Sequence, residues 1–421
     1  MAQAYAPTEV MTTTDGVPLK VSLRRAMRRN RIKAFLLVAP LLLFITFTFM
    51  IPILQMLWRS VDNPELQEGI PQTLVALRSW DGDGTPPEAV YAAFASDIVE
   101  GRGEARAIGR VAARLNREVG GMRSLINKTA RKIRKVESGP WKEAFIKIDK
   151  DWGDPTIWRN IKRIGAPYTT AFYVAAFDMQ YNDKGDIELQ PAQKRIYIDL
   201  FLRTLWISFL VTAFCILLGY PIGYLLATLP LRTSNLLMIM VLLPFWTSLL
   251  VRTSAWIVIL GKNGVLNDTL VWLGLVADDN RLEMMFNQTG VIIAMTHILL
   301  PFMVLPLYSV MKTIPPSYMR AARSLGANPF TAFVRVYLPQ TVPGIGAGSI
   351  LVFIVAIGYY ITPALVGGQS GQMISNLIAY HMQQSLNWGL AGALGTILLA
   401  GVLLLYWLYN RVVGIDNMKL G

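Results

Sequence analysis

Trp246, Thr247 and Arg252 in one apolar run, and Tyr359, Tyr360 and Thr362 in another, are polar and aromatic groups beside breaks in long hydrophobic segments. Pro244 and Pro363 mark these two breaks, as Gly219-Tyr220-Pro221 and the pair Pro301 and Pro306 mark others. Inside a bilayer a broken helix is tolerated only where protein or a water-filled cavity receives the freed backbone groups, and transporters line solute paths with such places. Aromatic faces flanked by hydroxyls can hold an organic cation without an added charge. The same residue types also populate interfacial belts, and a lone proline kink also arises from packing. A charge such as Arg252 within an apolar run is costly and faces a cavity or a partner, or else snorkels to the interface. His297 reads as a hydrogen-bonded packing histidine rather than a proton relay.

Other chemistries are excluded by spacing. The chain carries no Gly-x-x-x-x-Gly-Lys-Ser/Thr phosphate loop, no carboxylate pair, no nucleophile–base set and no metal cluster in its apolar part. Gly344-Ile345-Gly346-Ala347-Gly348 lacks the preceding strand and the distant acid of a nucleotide fold, so Gly344 and Gly348 are expected to form a close-packing helix face. Asp178, Asn182, Asp183, Asp186 and Glu188 do not follow the spacing of a calcium loop and read as a solvated turn. Cys215 is the only cysteine, so no disulfide forms within one chain. The chain is therefore expected to be non-catalytic, with no bound cofactor and no metal.

The elements that must position these residues are membrane spans. Of 421 residues 53% are hydrophobic, and the mean hydropathy is +0.41. The excess is concentrated in runs of about 20 residues, the length that crosses a bilayer. The net charge of +13 is concentrated where Lys20, Arg24, Arg25, Arg28, Arg29, Arg31 and Lys33 crowd before the first run. That is a cytoplasmic flank rather than a nucleic-acid site. Residues 1–33 are thus read as a cytoplasmic basic tail, disordered over 1–19, and 34–58 as an uncleaved first span. Residues 59–196 are a water-soluble, mainly α-helical insertion, with helical spacing at Ile108, Val111, Leu115, Val119, Met122 and Ile126. The stretch from Pro167 to Met179 fits strand or buried helix equally. Further spans are expected near 197–229, 235–260, 288–312, 342–366 and 388–411. Arg232, Arg320, Arg323 and Arg335 lie in loops of one side, Asp268, Asp278, Asp279 and Glu283 in a loop of the other. This bias puts both termini inside and the insertion outside.

Between the fourth and fifth of these spans the loop 313–341 is a basic island. Ala321 and Ala322 permit close approach to another surface, and Gly326 would end a short helix in a left-handed turn. Asn328-Pro329 opens a second segment with Phe330, Phe333, Val334 and Tyr337 at helical spacing, expected to stop at Leu338-Pro339. The spacing Ala321-Ala322, Gly326, Val336, Leu338-Pro339 resembles the EAA loop of ATP-binding-cassette importer permeases, with Arg320 where the family has its leading glutamate. Gly219-Tyr220-Pro221, Leu243-Pro244-Phe245-Trp246, Gly264-Val265-Leu266-Asn267 and Leu299-Leu300-Pro301-Phe302 extend the likeness across about 197–411, and are similar to the first permease subunit of spermidine/putrescine-type importers.

The resemblance implies an all-α integral membrane fold with six transmembrane helices, a type I importer (MetI-like) core over 197–421, and the insertion as an addition. It implies a bacterial inner-membrane permease subunit that works with a second permease, an ATPase dimer holding ATP and magnesium, and an extracytoplasmic solute-binding protein. Arg320, Ala321, Ala322, Leu325, Gly326, Ala327, Leu338 and Pro339 would dock on the ATPase, and the loops 261–287 and 367–387 on the binding protein. The implied solute is a polyamine or a similar small organic molecule. No acid stands near Ala364, where the polyamine subunits carry one, which weighs toward another small solute. Two rival readings are a secondary transporter, which would need repeats and intramembrane acids, and a membrane-anchored sensor or scaffold that binds through the insertion.

Overall fold

The computed structural model describes residues 19–100, 107–136 and 139–413. The disorder expected over 1–19 lies, Leu19 aside, outside the described residues. Among those residues six helices are long and apolar enough to cross a membrane. The chain divides at Trp58–Arg59 into two compact units.

In the first unit one helical run begins at Leu19, ahead of the basic cluster, and continues to the unit boundary. It carries one π-helical turn, Thr46–Met50, just before Pro52. Pro52 has no N–H for the preceding turn, and a π turn is one way to absorb that loss. Thr46 and Thr48 bond back to the carbonyls of Leu42 and Phe44 at 2.8 and 2.7 Å.

The membrane part of the second unit is built around helix Gln288–Thr313, which packs between helices Tyr197–Thr228 and Leu338–Gly358. Glycines four apart on each neighbour meet the same short stretch of it. A Cβ on Gly219 would lie 2.9 Å from Met303 and one on Gly348 2.6 Å from the Met303 sulfur; on Gly223 and Gly344 it would fall 3.2 Å from Leu307. Lipid supplies no hydrophobic drive between helices, so this close backbone approach is what dispersion and packing act through. The close-packing face expected at Gly344 and Gly348 is therefore present, and Gly219 and Gly223 repeat it.

Helices Tyr197–Thr228 and Gln288–Thr313 run unbroken through Pro221, Pro301 and Pro306, which the sequence marked as breaks, and two other spans differ from their sequence-predicted courses. The run 235–260 is helix Leu231–Leu242, a 3₁₀ turn Leu243–Trp246 and helix Leu249–Leu260, interrupted at Pro244 to Ser248. Its apolar length continues through Val265–Trp272, inside the stretch read as loop. The fifth span does not restart at Leu338-Pro339. Pro329–Gly358 runs helically throughout, because the π turn at Phe333–Tyr337, just before Pro339, takes up the place of its missing N–H. It ends at Gly358, and Ile361–Val366 is a separate short helix.

Residues 59–196 form a helical bundle with one hairpin. The predicted periodicity is buried at Ile108, Val111, Leu115, Met122 and Ile126, on two helices, Ala107–Glu118 and Met122–Lys132, rather than one. Gly121 turns the chain between them at φ +88°. At the bundle's centre Tyr91, Phe94, Phe145, Trp152 and Trp158 meet mostly edge-on, the closest rings being Tyr91 and Trp158 at 4.8 Å. The indole N–H groups donate to Thr129 Oγ1 at 2.7 Å and to the Trp152 carbonyl at 3.0 Å, so the aromatic core leaves neither unpaired. The ambiguous stretch after Pro167 is helix Ala171–Ala176 followed by strand Met179–Tyr181, paired antiparallel with Ile187–Leu189.

The acids of that hairpin are a turn, as expected: Asn182 Oδ1 accepts from the Lys184 and Asp186 amides. Asp178 does something spacing did not suggest. Held at φ +57°, its carboxylate accepts from the amides of Ile196, Tyr197 and Ile198 at 2.9–3.0 Å and so caps the first turn of the second span.

Candidate functional site

The loop bracket has the expected shape. Helix Pro316–Ser324 ends at Leu325, Gly326 takes φ +88°, and Asn328 caps the next turn by accepting from the Thr331 amide at 2.7 Å. Arg320, Ala321, Leu325 and Gly326 are exposed, Ala322 and Ala327 half-buried. Leu325 is 89% and Phe330 76% exposed, an apolar presentation that a lone chain does not need. Leu338 and Pro339 stand apart from this edge, inside the continuous fifth helix.

Behind the bracket lies a cleft of about 670 Å³ lined by Tyr220, Pro221, Tyr224, Arg320, Arg323 and Phe330, among others. Phe333 and Tyr337 pack against Tyr224 with ring centroids 5.8 and 5.3 Å apart, tying the bracket's second arm to the second span. Among the described residues neither Arg320 nor Arg323 forms an ion pair.

The six path candidates lie on two broken segments that meet at Thr253 and Thr362, with different exposures. Arg252 bends back so that its guanidinium donates to the carbonyls of Pro244 and Thr247, the latter at 3.0 Å, and to Thr247 Oγ1 at 3.3 Å. It thus satisfies backbone groups freed by the break in the third span, which explains a charge at that depth. Trp246 is 76% exposed beside it. Thr362 is fully buried and faces Thr253 at 3.5 Å, so it joins the two broken segments and lines no open surface. Tyr360 is exposed and Tyr359 half-buried. His297 accepts from the Trp256 indole at 3.2 Å, the packing role expected of it.

Sequence reasoning missed the helix Ile374–Gln383. Ser375 Oγ donates to the Tyr359 carbonyl at 2.7 Å, and Asn376 Nδ2 to the Tyr360 carbonyl at 2.8 Å. On the same helix His381 Nε2 lies 3.3 Å from the Tyr197 hydroxyl and Nδ1 2.9 Å from Ser385 Oγ. A loop free of Lys and Arg gave no hint of this; only the adjacent Ser-Asn pair at a helix start could have.

Residues 219–413 match the family described as "Binding-protein-dependent transport system inner membrane component". The spermidine/putrescine transport system permease protein PotB of Escherichia coli (strain K12) is 36% identical over 221 residues, 52% of this chain and 80% of that protein. The chain belongs to this family. The member of the same name from Salmonella typhimurium (strain SL1344) is also 36% identical, over 76% of its length. The inner membrane ABC transporter permease protein YdcU of E. coli (strain K12) is 34% identical over 192 residues, 43% of this chain and 60% of its own. A crystal structure of a bacterial ABC transporter involved in import of the polysaccharide alginate shares 20% identity, covers 55% of this chain and 81% of that one, and has a TM-score of 0.41. This family member is an inner-membrane importer permease, and the matched residues hold both the bracket and the two broken spans.

His381 gives it a pH-sensitive contact. Burial, and then the charge of Arg117, hold its pKa below the ordinary 6.5. A lowered folded-state pKa contributes stability that is complete above 6.5 and is lost as pH falls through the folded value. Thermal melts of the detergent-solubilised chain should therefore fall more steeply from pH 7 to pH 5 than those of His381→Gln. Parallel curves would assign the acid sensitivity elsewhere.

Proposed function

We propose that this chain is one permease half of an ATP-driven, binding-protein-dependent importer, with a polyamine such as spermidine or putrescine, or a similar small organic solute, as cargo. The observation that carries the coupling role is the exposed bracket at Gly326, whose second arm is continuous with the fifth span. In this reading residues 313–341 face the cytoplasm with both termini, and 59–196 lie outside. Arg320, Ala321, Ala322, Leu325, Gly326 and Ala327 meet a separate ATPase, where ATP and magnesium bind. Leu338 and Pro339 transmit from within the helix. A second permease chain completes the solute path, and an extracytoplasmic binding protein delivers the solute.

The helical run Pro329–Gly358 supports this mechanically. Thirty residues at 1.5 Å rise make a rod about 45 Å long. Its near end carries the bracket and its far end stops at Tyr359-Tyr360, so a tilt imposed at Gly326 reaches the broken region along one helical run that includes the π turn at Phe333–Tyr337 and Pro343. The relatives' printed names support the polyamine class, while the aromatic groups Trp246, Tyr359 and Tyr360 suit an organic cation. The test is uptake of radiolabelled spermidine into proteoliposomes holding the assembled complex. Uptake is expected only with internal ATP and loaded binding protein present; uptake with no ATPase bound would overturn the reading.

A further inference from the structure

The fifth span ends at Gly358 and leaves the Tyr359 carbonyl outside either helix, while the Tyr360 carbonyl accepts from the Ala364 amide at 3.0 Å as the first bond of the next one. Tyr359 is extended, at φ −74° and ψ 128°, and the helix does not resume until Ile361. Carbonyls orphaned at a helix end need donors, the more so at membrane depth. Side chains 16 residues away reach both: Ser375 Oγ donates to the Tyr359 carbonyl, and Asn376 Nδ2 gives the Tyr360 carbonyl a second donor. Asn376 is used at both ends, because its Oδ1 accepts from the Met373 amide at 3.1 Å and so caps its own helix.

That helix is itself held from two directions. Thr204 of the second span accepts from the Ile374 amide at 2.8 Å. Residues 59–196 hold the segment that follows it, which ties back to the helix where the Asn387 amide donates to the His381 carbonyl at 2.8 Å. Arg117 donates to the Leu386 carbonyl at 3.2 Å, Arg59 lies over the Trp388 ring at 5.7 Å, and the Phe172 ring fills the space over Gly389, where an added Cβ would meet it at 2.2 Å. Residues 59–196 therefore close a connected path of contacts to the backbone at Tyr359-Tyr360. The insertion lies outside the family match, which begins at Gly219, while Ser375 and Asn376 lie within it.

We propose that Ser375 and Asn376 are positioning residues for the solute path, which hold the interrupted end of the fifth span, and that the insertion 59–196 sets where they stand. This rests on the importer reading. The insertion is then a brace on the gate rather than a freely tethered binding module, and solute affinity depends on residues that touch no solute.

The test uses the whole chain in its assembled complex. Asn376→Asp keeps the acceptor for the Met373 amide and removes only the donor to Tyr360, so the helix cap survives. Ser375→Ala removes the other donor, and Ser375→Thr restores a hydroxyl. Amide hydrogen exchange over 359–366 should accelerate in Asn376→Asp and Ser375→Ala and return toward wild type in Ser375→Thr. For spermidine uptake the half-saturating concentration should rise about five- to tenfold, the range for one lost hydrogen bond, with a smaller change in maximal rate. Arg117→Ala should shift both readouts the same way, and its combination with Asn376→Asp should fall short of the sum, as expected for one connected unit. Unchanged exchange over 359–366 overturns the proposal, and so does faster exchange with an unmoved half-saturation. A wild-type complex that takes up no spermidine would count against the substrate reading instead, and the exchange result alone then decides this one.

Discussion

Gly326→Asp is expected to abolish solute-stimulated ATP hydrolysis by the assembled complex while the chain still folds and inserts. The two halves of that expectation come from different observations. Gly326 sits at φ +88°, where an L residue is strained, but no heavy atom lies within 4 Å of where its Cβ would be. Aspartate is among the residues that enter this region most readily, so the cost within the chain is about 1 kcal/mol. The added carboxylate lands on the exposed edge between Leu325 and Ala327. A charge buried there against a docked partner costs about 2–5 kcal/mol, or roughly 30- to several-thousand-fold in association. Co-purification of the ATPase should fall in proportion, while the thermal melt of the isolated chain moves by only a few degrees. Gly326→Ala, with the strain and no charge, should retain most activity. Stimulation that survives Gly326→Asp would remove the bracket from the coupling role.

How much of this was legible beforehand follows the range of the interactions. The bracket could be read from sequence because its parts are local: a glycine that must be left-handed, an Asx cap three residues before its amide, and apolar residues at helical spacing. The close-packing glycines at 344 and 348 were legible for the same reason, and Gly219 and Gly223 carry the same four-residue signature. Of the prolines read as breaks, Pro244 lies in an interruption and Pro363 just after one, whereas Pro221, Pro301 and Pro306 sit inside unbroken helices. The sequence did not tell which prolines interrupt a helix and which, like Pro339, are absorbed by a π turn, because that depends on where the missing N–H falls in the ladder. Arg252 could be read as a costly charge but not as the donor to Pro244 and Thr247, which needs the chain to double back. Asp178, Asn376 and Arg117 were invisible. Each reaches a partner between 16 and 269 residues away, and none sits in a pattern that composition or periodicity can register. The insertion read as a separate soluble region because its charges and turns look like one, whereas the contacts of Phe172, Arg59 and Arg117 with the far end of the chain make it part of the same compact unit.

Glu118→Ala is expected to be the most destabilising single change in the insertion. Glu118 stands between two arginines, with Oε1 2.8 Å from Arg114 and Oε2 2.8 Å from Arg163. Arg114 is 1% exposed, donates from Nε to Asn63 Oδ1 at 2.9 Å and lies over the Phe172 ring at 4.8 Å; Arg163 lies over Tyr181 at 4.9 Å. Asn63 in turn donates to the carbonyl of Ala166 at 2.8 Å, so one carboxylate organises the junction of four segments. A buried pair adds little net stability over apolar residues of the same shape, but removing one partner strands the other charge, at about 3–5 kcal/mol. Against a total of roughly 5–15 kcal/mol for a domain, that is enough to open the region. Glu118→Gln keeps an acceptor for one arginine and should lose less, while Arg114→Met combined with Glu118→Leu should be milder than Glu118→Ala despite removing more groups. Limited proteolysis of the full chain in detergent reads the order directly, with cleavage confined to 59–196 while the spans resist. Arg114 also rests on Phe172, whose ring fills the space over Gly389, so Glu118→Ala should quicken amide exchange in Ile374–Gln383 as well. Protease resistance equal to wild type would mean the aromatic centre at Trp152 and Trp158 holds the bundle without this charge network.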